Sequence, residues 1–302
     1  MDRRQYLTGL GTAFAVTVAG CSSNDSTTTA PADTATTKAT TQSTTTTAAT
    51  TQTTETTTET TTQTTTAEPA SFELVKVDAP EQVEIGTTAT WSFTVKNTGG
   101  QAGTFETTVS TKESSSYSWS TGNEWTATIK PGKTHTFESQ EFSSSYMTTV
   151  KLRLDTFNKA VSISFVSRKL NFGESFTTGD NVTLSVTGLD AKDKYHWSSN
   201  GYTYTEEPEN GQYIFAHVKA HNNAGKPVRI PTIYNFALVA DHSQYDATYY
   251  QGNDGYEGGN VQADIVREGV VVFDVPKSVS PQSAQFVWSD TTYDGDIAVY
   301  WS

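Results

Sequence analysis

The sequence predicts an all-β protein in which two β-sandwiches follow a disordered, threonine-rich tether. Three observations carry the prediction. From residue 72 onward, apolar side chains recur at every second position in short runs, the period of a strand with one buried face. Turn chemistry built on Gly, Pro and Asn separates those runs. Residues 22–70, by contrast, are almost entirely Thr, Ser, Ala and Gln and have no apolar rhythm.

In chain order, Arg3 and Arg4 precede an apolar run, residues 10–18, that ends at Val18-Ala19-Gly20-Cys21. A basic start followed by a short apolar run reads as a processed export signal. The run falls short of the roughly 20 apolar residues a permanent span needs. Arg3-Arg4-Gln5-Tyr6-Leu7 resembles a twin-arginine export signal, and Val18-Ala19-Gly20-Cys21 resembles a lipobox. That resemblance implies an exported protein cut before Cys21. The Cys21 thiol would carry a diacylglycerol, placing the chain on the outer face of the cell membrane.

The chain has 302 residues, a single cysteine and a formal net charge of -13. Its length suits about two domains of roughly 150 residues each. With Cys21 alone, no intramolecular disulfide can form, so apolar cores must hold an exported fold together. No cysteine-based metal centre can be built either. No cofactor and no metal are expected. The acidic balance argues against nucleic acid as a partner, because polyanion binding needs clustered Lys and Arg. Together with the export signal and tether, the acidic composition resembles that of haloarchaeal cell-surface lipoproteins.

The tether, residues 22–70, contains scattered Glu55, Glu59 and Glu68 and almost nothing to bury. It cannot repay its ordering entropy and is expected to be disordered. Its composition reads as an O-glycosylated spacer. As a plain coil of about 50 residues it spans about 35 to 40 Å, enough to lift a globular part off the membrane.

The first sandwich is expected over residues 71–166. Trp91-Ser92-Phe93-Thr94-Val95 alternates cleanly, as do Lys151-Leu152-Arg153-Leu154 and Val161-Ser162-Ile163-Ser164-Phe165. Turns are expected at residues 97–100, 121–123 and 130–133. In the last, Pro131 and Gly132 fit the central positions of a type II turn. Trp91, Phe93, Val95, Phe105, Ile129, Phe137, Leu152, Leu154, Ile163 and Phe165 are the expected core. The order of Val83-Glu84-Ile85-Gly86, the Trp91 strand running into Asn97-Thr98-Gly99, and Ile129-Lys130-Pro131-Gly132 resembles adhesion-type immunoglobulin-like surface modules. Such a resemblance implies a fold with many uses. Trp119, within a serine- and aromatic-rich segment, and Trp125, at an expected loop tip, are candidate ligand contacts. Interleaved serine and aromatic side chains make an adaptable contact surface, and aromatic platforms stack on sugars. Packing of the same rings on strand faces is the competing reading.

The second sandwich is expected over residues 168–302. Asn181-Val182-Thr183-Leu184-Ser185-Val186 alternates, and Asn210-Gly211 reads as a hairpin turn of type I′. The Leu184 strand, the His217-Val218-Lys219-Ala220-His221-Asn222-Asn223 segment and Gly269-Val270-Val271-Val272-Phe273-Asp274-Val275-Pro276 together resemble an immunoglobulin-like extracellular domain of uncharacterised function (DUF4352-like) found in bacterial and archaeal lipoproteins. Residues 241–260 form a longer insertion here. Its Asp241, Asp246, Asp254 and Glu257 could offer oxygen ligands to Ca²⁺, but the spacing is not that of an EF-hand, and such loops are more often simply solvated. Trp197 and Tyr202 are further candidate ligand contacts.

The sequence points to no catalysis. His217 and His221 on one strand stand about 13 Å apart, too far for one small ion. His217 is expected to pack beside the core. No serine sits in a nucleophile elbow, and no glycine-rich phosphate loop opens a helix. The expected function is a lipid-anchored, non-catalytic module that binds or is displayed to an envelope or extracellular partner. The alternative is a carbohydrate-binding or weakly hydrolytic surface module.

Overall fold

The computed structural model describes residues 67–113 and 118–302. The export signal, Cys21 and nearly all of the tether lie outside the described residues, as do residues 114–117 of the serine-rich segment. Ten strands make the first sandwich. They are β1 (Phe72–Asp78), β2 (Gln82–Glu84), β3 (Thr88–Ala89), β4 (Ser92–Asn97) and β5 (Gly103–Glu113), then β6 (Ser120–Ile129), β7 (Thr134–Glu138), β8 (Phe142–Ser143), β9 (Thr148–Leu154) and β10 (Lys159–Val166). A three-stranded sheet, β1-β4-β7, packs on a five-stranded sheet, β2-β10-β9-β5-β6, with β3-β8 as a separate two-stranded ribbon. All ten core residues expected from the alternation are buried. The register shows why: Val77, Phe93 and Phe137 stand side by side across one sheet. Phe93 stacks on Phe137 at 4.7 Å, and Phe105 reaches Phe137 from the other sheet at 5.8 Å.

The expected turn at residues 130–133 closes with Lys133 N–H donating to Lys130 O at 3.1 Å. The turn expected at residues 121–123 is not there. Those residues lie inside β6, where its register against β5 shifts between Thr108 and Ser110. A glycine within a strand marks a bulge as readily as a turn.

Thirteen strands make the second sandwich: β11 (Arg168–Leu170), β12 (Ser175–Thr177), β13 (Val182–Lys192), β14 (Tyr195–Ser199), β15 (Tyr202–Glu206), β16 (Gly211–Asn222), β17 (Val228–Ile230), β18 (Phe236–Ala240), β19 (Ser243–Asp246), β20 (Gly259–Val261), β21 (Val266–Pro276), β22 (Gln285–Thr291) and β23 (Asp296–Trp301). The sheet β11-β23-β22-β18-β19 packs on β12-β13-β16-β21, with β14-β15 and β17-β20 as separate two-stranded ribbons. Trp288, Trp301, Phe273 and Phe286 fill the space between the two large sheets. The insertion at residues 241–260 is partly ordered into strand, since it contributes β19 and the start of β20.

One device recurs in both sandwiches. Asn97 ends β4 and Asn222 ends β16, and both are fully buried. Asn97 Nδ2 donates to the carbonyls of Gln101 and Ile129, each at 2.8 Å, while its Oδ1 accepts from Gly99 N–H at 2.9 Å. Asn222 Nδ2 donates to Lys226 O at 2.8 Å and Gln262 O at 2.9 Å, and Oδ1 accepts from Ala224 N–H at 2.9 Å. A buried amide that satisfies both its donors and its acceptor fixes the turn to its neighbouring strands without leaving an orphaned polar group.

The sandwiches also touch each other. Arg168 Nη1 donates to Glu84 Oε2 at 2.9 Å, and Met147 N–H donates to Asp296 O at 2.8 Å.

Candidate functional site

The hairpin of β14 and β15 carries a row of aromatic side chains on one face, with Tyr202 and Tyr204 exposed. Its turn is Asn200-Gly201, with φ of 52° and 82°. Two successive positive values define the type I′ geometry that matches strand twist, and Asn-Gly adopts it at little cost. The expected hairpin at Asn210-Gly211 is therefore ten residues out of place. Gly211 instead begins β16, whose partners are β13 and β21, and the backbone N–H groups of Glu209 and Asn210 donate to the Asp274 carboxylate at 2.7 and 3.0 Å. What separates the two dipeptides is their flanks. Alternating aromatics stand on both sides of Asn200-Gly201, whereas Glu206-Glu207-Pro208-Glu209 precedes Asn210.

Period-two alternation gives the hairpin two unlike faces. In register, Trp197 opposes Tyr204 and Ser199 opposes Tyr202, while Tyr195 lies two residues before Trp197 on the same face. The opposite face is polar, with His196 Nδ1 at 2.9 Å from Thr205 Oγ1. The aromatic face is rooted on the outer surface of β16 and β21. Tyr195 meets Tyr213 at 5.1 Å and Tyr250 at 4.8 Å, and Tyr250 meets Phe215 edge-on at 5.5 Å. Lys192 Nζ lies 4.1 Å from the centre of the Phe215 ring, a cation–π contact at the rim. This cover explains why residues 213–216 are buried on both faces, while alternation resumes at His217.

Outward along the hairpin the rings emerge. Tyr195 is 6% exposed, Tyr204 43% and Tyr202 70%, so the row runs from a packed root to a solvent-facing tip. Trp197 and Tyr204 stack at 4.5 Å with 21° between their planes. The root phenols are held protonated: burial, aided by nearby Tyr195 and Asp274, pushes Tyr213 up to about 12. Burial and then the Asp254 carboxylate, which accepts from the Tyr250 hydroxyl at 2.7 Å, likewise raise Tyr250.

Of the candidate contacts, Trp197 and Tyr202 thus come together on one face. Trp119 and Trp125 belong to the first sandwich. Trp125 is not at a loop tip: it lies mid-strand opposite Thr107, and its ring packs within 6.0 Å of Trp91, Phe93 and Phe137. Trp119 lies under the Arg153 guanidinium, 4.4 Å from the ring centre. Tyr204 and Tyr195 join Trp197 and Tyr202 only through the cross-strand register. Their signal was the Tyr-x-Trp and Tyr-x-Tyr alternation around Asn200-Gly201.

His217 does not pack beside the core. It points outward, with Nε2 2.8 Å from Asp190 Oδ2, because Val218 takes the inward position. In the insertion, Asp254 is engaged by Tyr250, and Asp246 accepts from Gln244 at 3.2 Å. Among the described residues, no three His, Cys, Asp or Glu side chains come together to hold a metal, and no helix is long and apolar enough to cross a membrane. Chemically, the hairpin offers π faces and phenol hydroxyls.

Fold and surface together define an all-β sandwich protein with an aromatic hairpin on its second sandwich. Residues 170–297, which include that hairpin, match the model of a domain of unknown function, DUF4352. Among solved structures, the chain is similar to the yjhA protein from Bacillus subtilis, with 17% identity over 44% of this chain and 99% of that one and a TM-score of 0.33. It is also similar to MPT63, a secreted protein from Mycobacterium tuberculosis, with 19% identity over 45% and 98% of the two chains and a TM-score of 0.31. An uncharacterized beta-sandwich protein from Clostridium difficile 630 gives 11% identity over 45% and 93%, with a TM-score of 0.32. No curated protein sequence matches the chain.

Proposed function

We propose that this chain is a lipid-anchored, non-catalytic cell-surface protein whose second sandwich recognises an envelope or extracellular partner through the β14–β15 hairpin. The observation that carries the reading is the hairpin's aromatic row, which continues past its packed root to leave Tyr204 and Tyr202 in solvent. A rigid ribbon presenting aromatics loses little side-chain entropy on contact, and such residues dominate binding energetics. Cys21 would supply anchorage, Arg3 and Arg4 the export route, and the threonine-rich tether the reach. The near-parallel Trp197–Tyr204 pair favours a second reading, in which the partner is a glycan that stacks on these rings.

Two measurements test the proposal. Cys21→Ala should move the chain from the membrane fraction to the medium and abolish incorporation of labelled lipid; retention on the membrane overturns the anchor. Cell-envelope pull-down and a glycan array, each run with the wild-type chain and with Tyr202→Ala/Tyr204→Ala, address recognition. Loss of about 30-fold in affinity for a captured partner, roughly 2 kcal/mol, is expected for an aromatic hot spot. Capture that is unchanged in the double variant excludes the hairpin, and a glycan hit lost in that variant selects the second reading.

A further inference from the structure

We propose that the cavity at the open end of the second sandwich, closed from the first sandwich by Tyr146, is a binding site for a small zwitterion of the α-amino acid class. The cavity holds about 300 Å³ and is lined by Arg229, Asp180, Asp290, Asn235 and Trp288 as well as Tyr146. That volume lies at the small end of the range for ligand sites.

The lining sorts into donors and acceptors. The exposed Arg229 guanidinium, next to Ile230 on β17, makes no ion pair or hydrogen bond among the described residues. Asn235 spends its Oδ1 on the backbone N–H and hydroxyl of Thr232, at 2.8 and 3.1 Å, which leaves its Nδ2 to donate. Trp288 is 98% buried, since only 2% of it is exposed, and its Nε1 has no acceptor. Guanidinium, amide and indole N–H are the donors that hold a carboxylate. On the other side are two carboxylates. Asp290 follows Phe286 and Trp288 on the inward face of β22, opposite Ile297, and is half-buried without a partner. Asp180 sits on the turn before β13.

Arg229 and Asp180 are exposed and Asp290 is half-buried, so water screens their mutual attraction, and among the described residues no ion pair joins them. A free anion would be repelled by two aspartates and a free cation by the arginine, whereas a molecule carrying both charges satisfies each end. The apolar walls, Ile230 and Ile297, suit a short aliphatic side chain.

The inference is independent of the hairpin and of any macromolecular partner. Its test is isothermal titration of the full chain with glycine, L-leucine, L-isoleucine and L-methionine. Isopentylamine and 4-methylvalerate, which are leucine without its carboxylate and without its amine, serve as half-ligand controls. Expected are saturable binding of at least one amino acid with one site per chain, weakening of tenfold or more in Arg229→Gln and in Asp290→Asn, and no saturation by either half-ligand at the same concentrations. In the wild-type chain, the Trp288 indole N–H resonance, identified by Trp288→Phe, should move on titration. The proposal falls if no amino acid saturates, if either half-ligand binds as well as the whole, or if both variants bind like the wild type with that resonance unmoved.

Discussion

Gly86 stands against the ring of Phe176 where the two sandwiches meet: a β-carbon built on Gly86 would lie 2.8 Å from Phe176 Cε2. The glycine has a φ of 74°, and its N–H donates to Ser144 O at 2.8 Å. Phe176 has little room to yield, because it is buried and meets Trp288 edge-on at 6.0 Å. Gly86→Ala therefore combines a left-handed backbone, which costs about 1–2 kcal/mol for an L-residue, with a steric displacement of a core ring. A lower denaturation midpoint for Gly86→Ala than for the wild type is expected in urea. An unchanged midpoint would show that the contact between the sandwiches is soft.

The paired asparagines predict a larger effect. Replacing Asn97 or Asn222 by Ala removes a buried amide and strands two carbonyls and a backbone N–H in each sandwich. Leaving buried groups unsatisfied costs about 1–3 kcal/mol apiece before relaxation, so each variant should lose about 3 kcal/mol or more. Asp at either position keeps the acceptor but sets a second oxygen against the two carbonyls in a fully buried site, and should be no more stable than Ala. Equilibrium denaturation of Asn97→Ala, Asn97→Asp and the wild type sets this order. An Asp variant as stable as the wild type would mean that only the acceptor matters.

How far these features could be read beforehand depends on what a local pattern encodes. Alternation in residues 91–95, 151–154 and 161–165 identifies the buried face because a period of two leaves only one choice of side. It fails where something covers both sides. At residues 213–216 the outer face is roofed by Tyr195 and Tyr250, so the apolar run no longer tells in from out, and the pattern puts His217 beside the core when it faces outward. Asn200-Gly201 and Asn210-Gly211 carry the same turn chemistry, and only the strand partners distinguish them. The aromatic face was half legible for the same reason. Trp197 and Tyr202 stand out by type, but Tyr204 becomes part of the site only through cross-strand register. The glycine at 122 reads as a turn that would put Trp125 at a tip, but β6 runs straight through it.

The hairpin itself can be tested apart from its partner. A stacked aromatic pair contributes about 0.5–1.5 kcal/mol beyond area burial, and the Asn200-Gly201 turn sets its register. Asn200→Ala/Gly201→Ala should fray the ribbon while β16 and β21 stay protected. Hydrogen exchange would then rise at the Trp197 and Tyr204 amides but not at Ile214 or Val271. Protection lost across all four would show that the hairpin is part of the sandwich's cooperative unit.

Acid stability should depend on Asp155. The Ser110 hydroxyl donates to its carboxylate at 2.6 Å and lowers its pKa most; burial opposes this with the next largest effect, and Arg153 Nε, also at 2.6 Å, lowers it further. Its folded pKa lies below its unfolded one. The stability it contributes is therefore present above the ordinary carboxylate value of 3.8 and is lost as pH falls through the folded value. Asp155→Asn should be less stable than the wild type at neutral pH and converge with it below the ordinary carboxylate range. A constant gap down to the acid limb would show that the ionised carboxylate contributes nothing. Because Arg153 also lies over Trp119, tryptophan emission should change in Asp155→Asn as the guanidinium loses its anchor.

At the alkaline end the sign reverses, and Tyr213 sets the window. Its hydroxyl donates to Glu207 O at 3.0 Å beneath the hairpin root, and burial raises its pKa from 10.0 to about 12. A phenol whose folded pKa is raised contributes stability that is complete below the unfolded value and is lost as pH rises through the folded one. The wild type should thus lose stability between pH 10.0 and about 12 more steeply than Tyr213→Phe, which has no proton to give up. Below pH 10.0 the difference between the two should be flat, set only by the lost hydrogen bond. Denaturation midpoints measured across that window decide the matter. Parallel curves for the two proteins would mean that the root of the hairpin opens to water before Tyr213 ionises, so that the packed aromatic base does not persist at high pH.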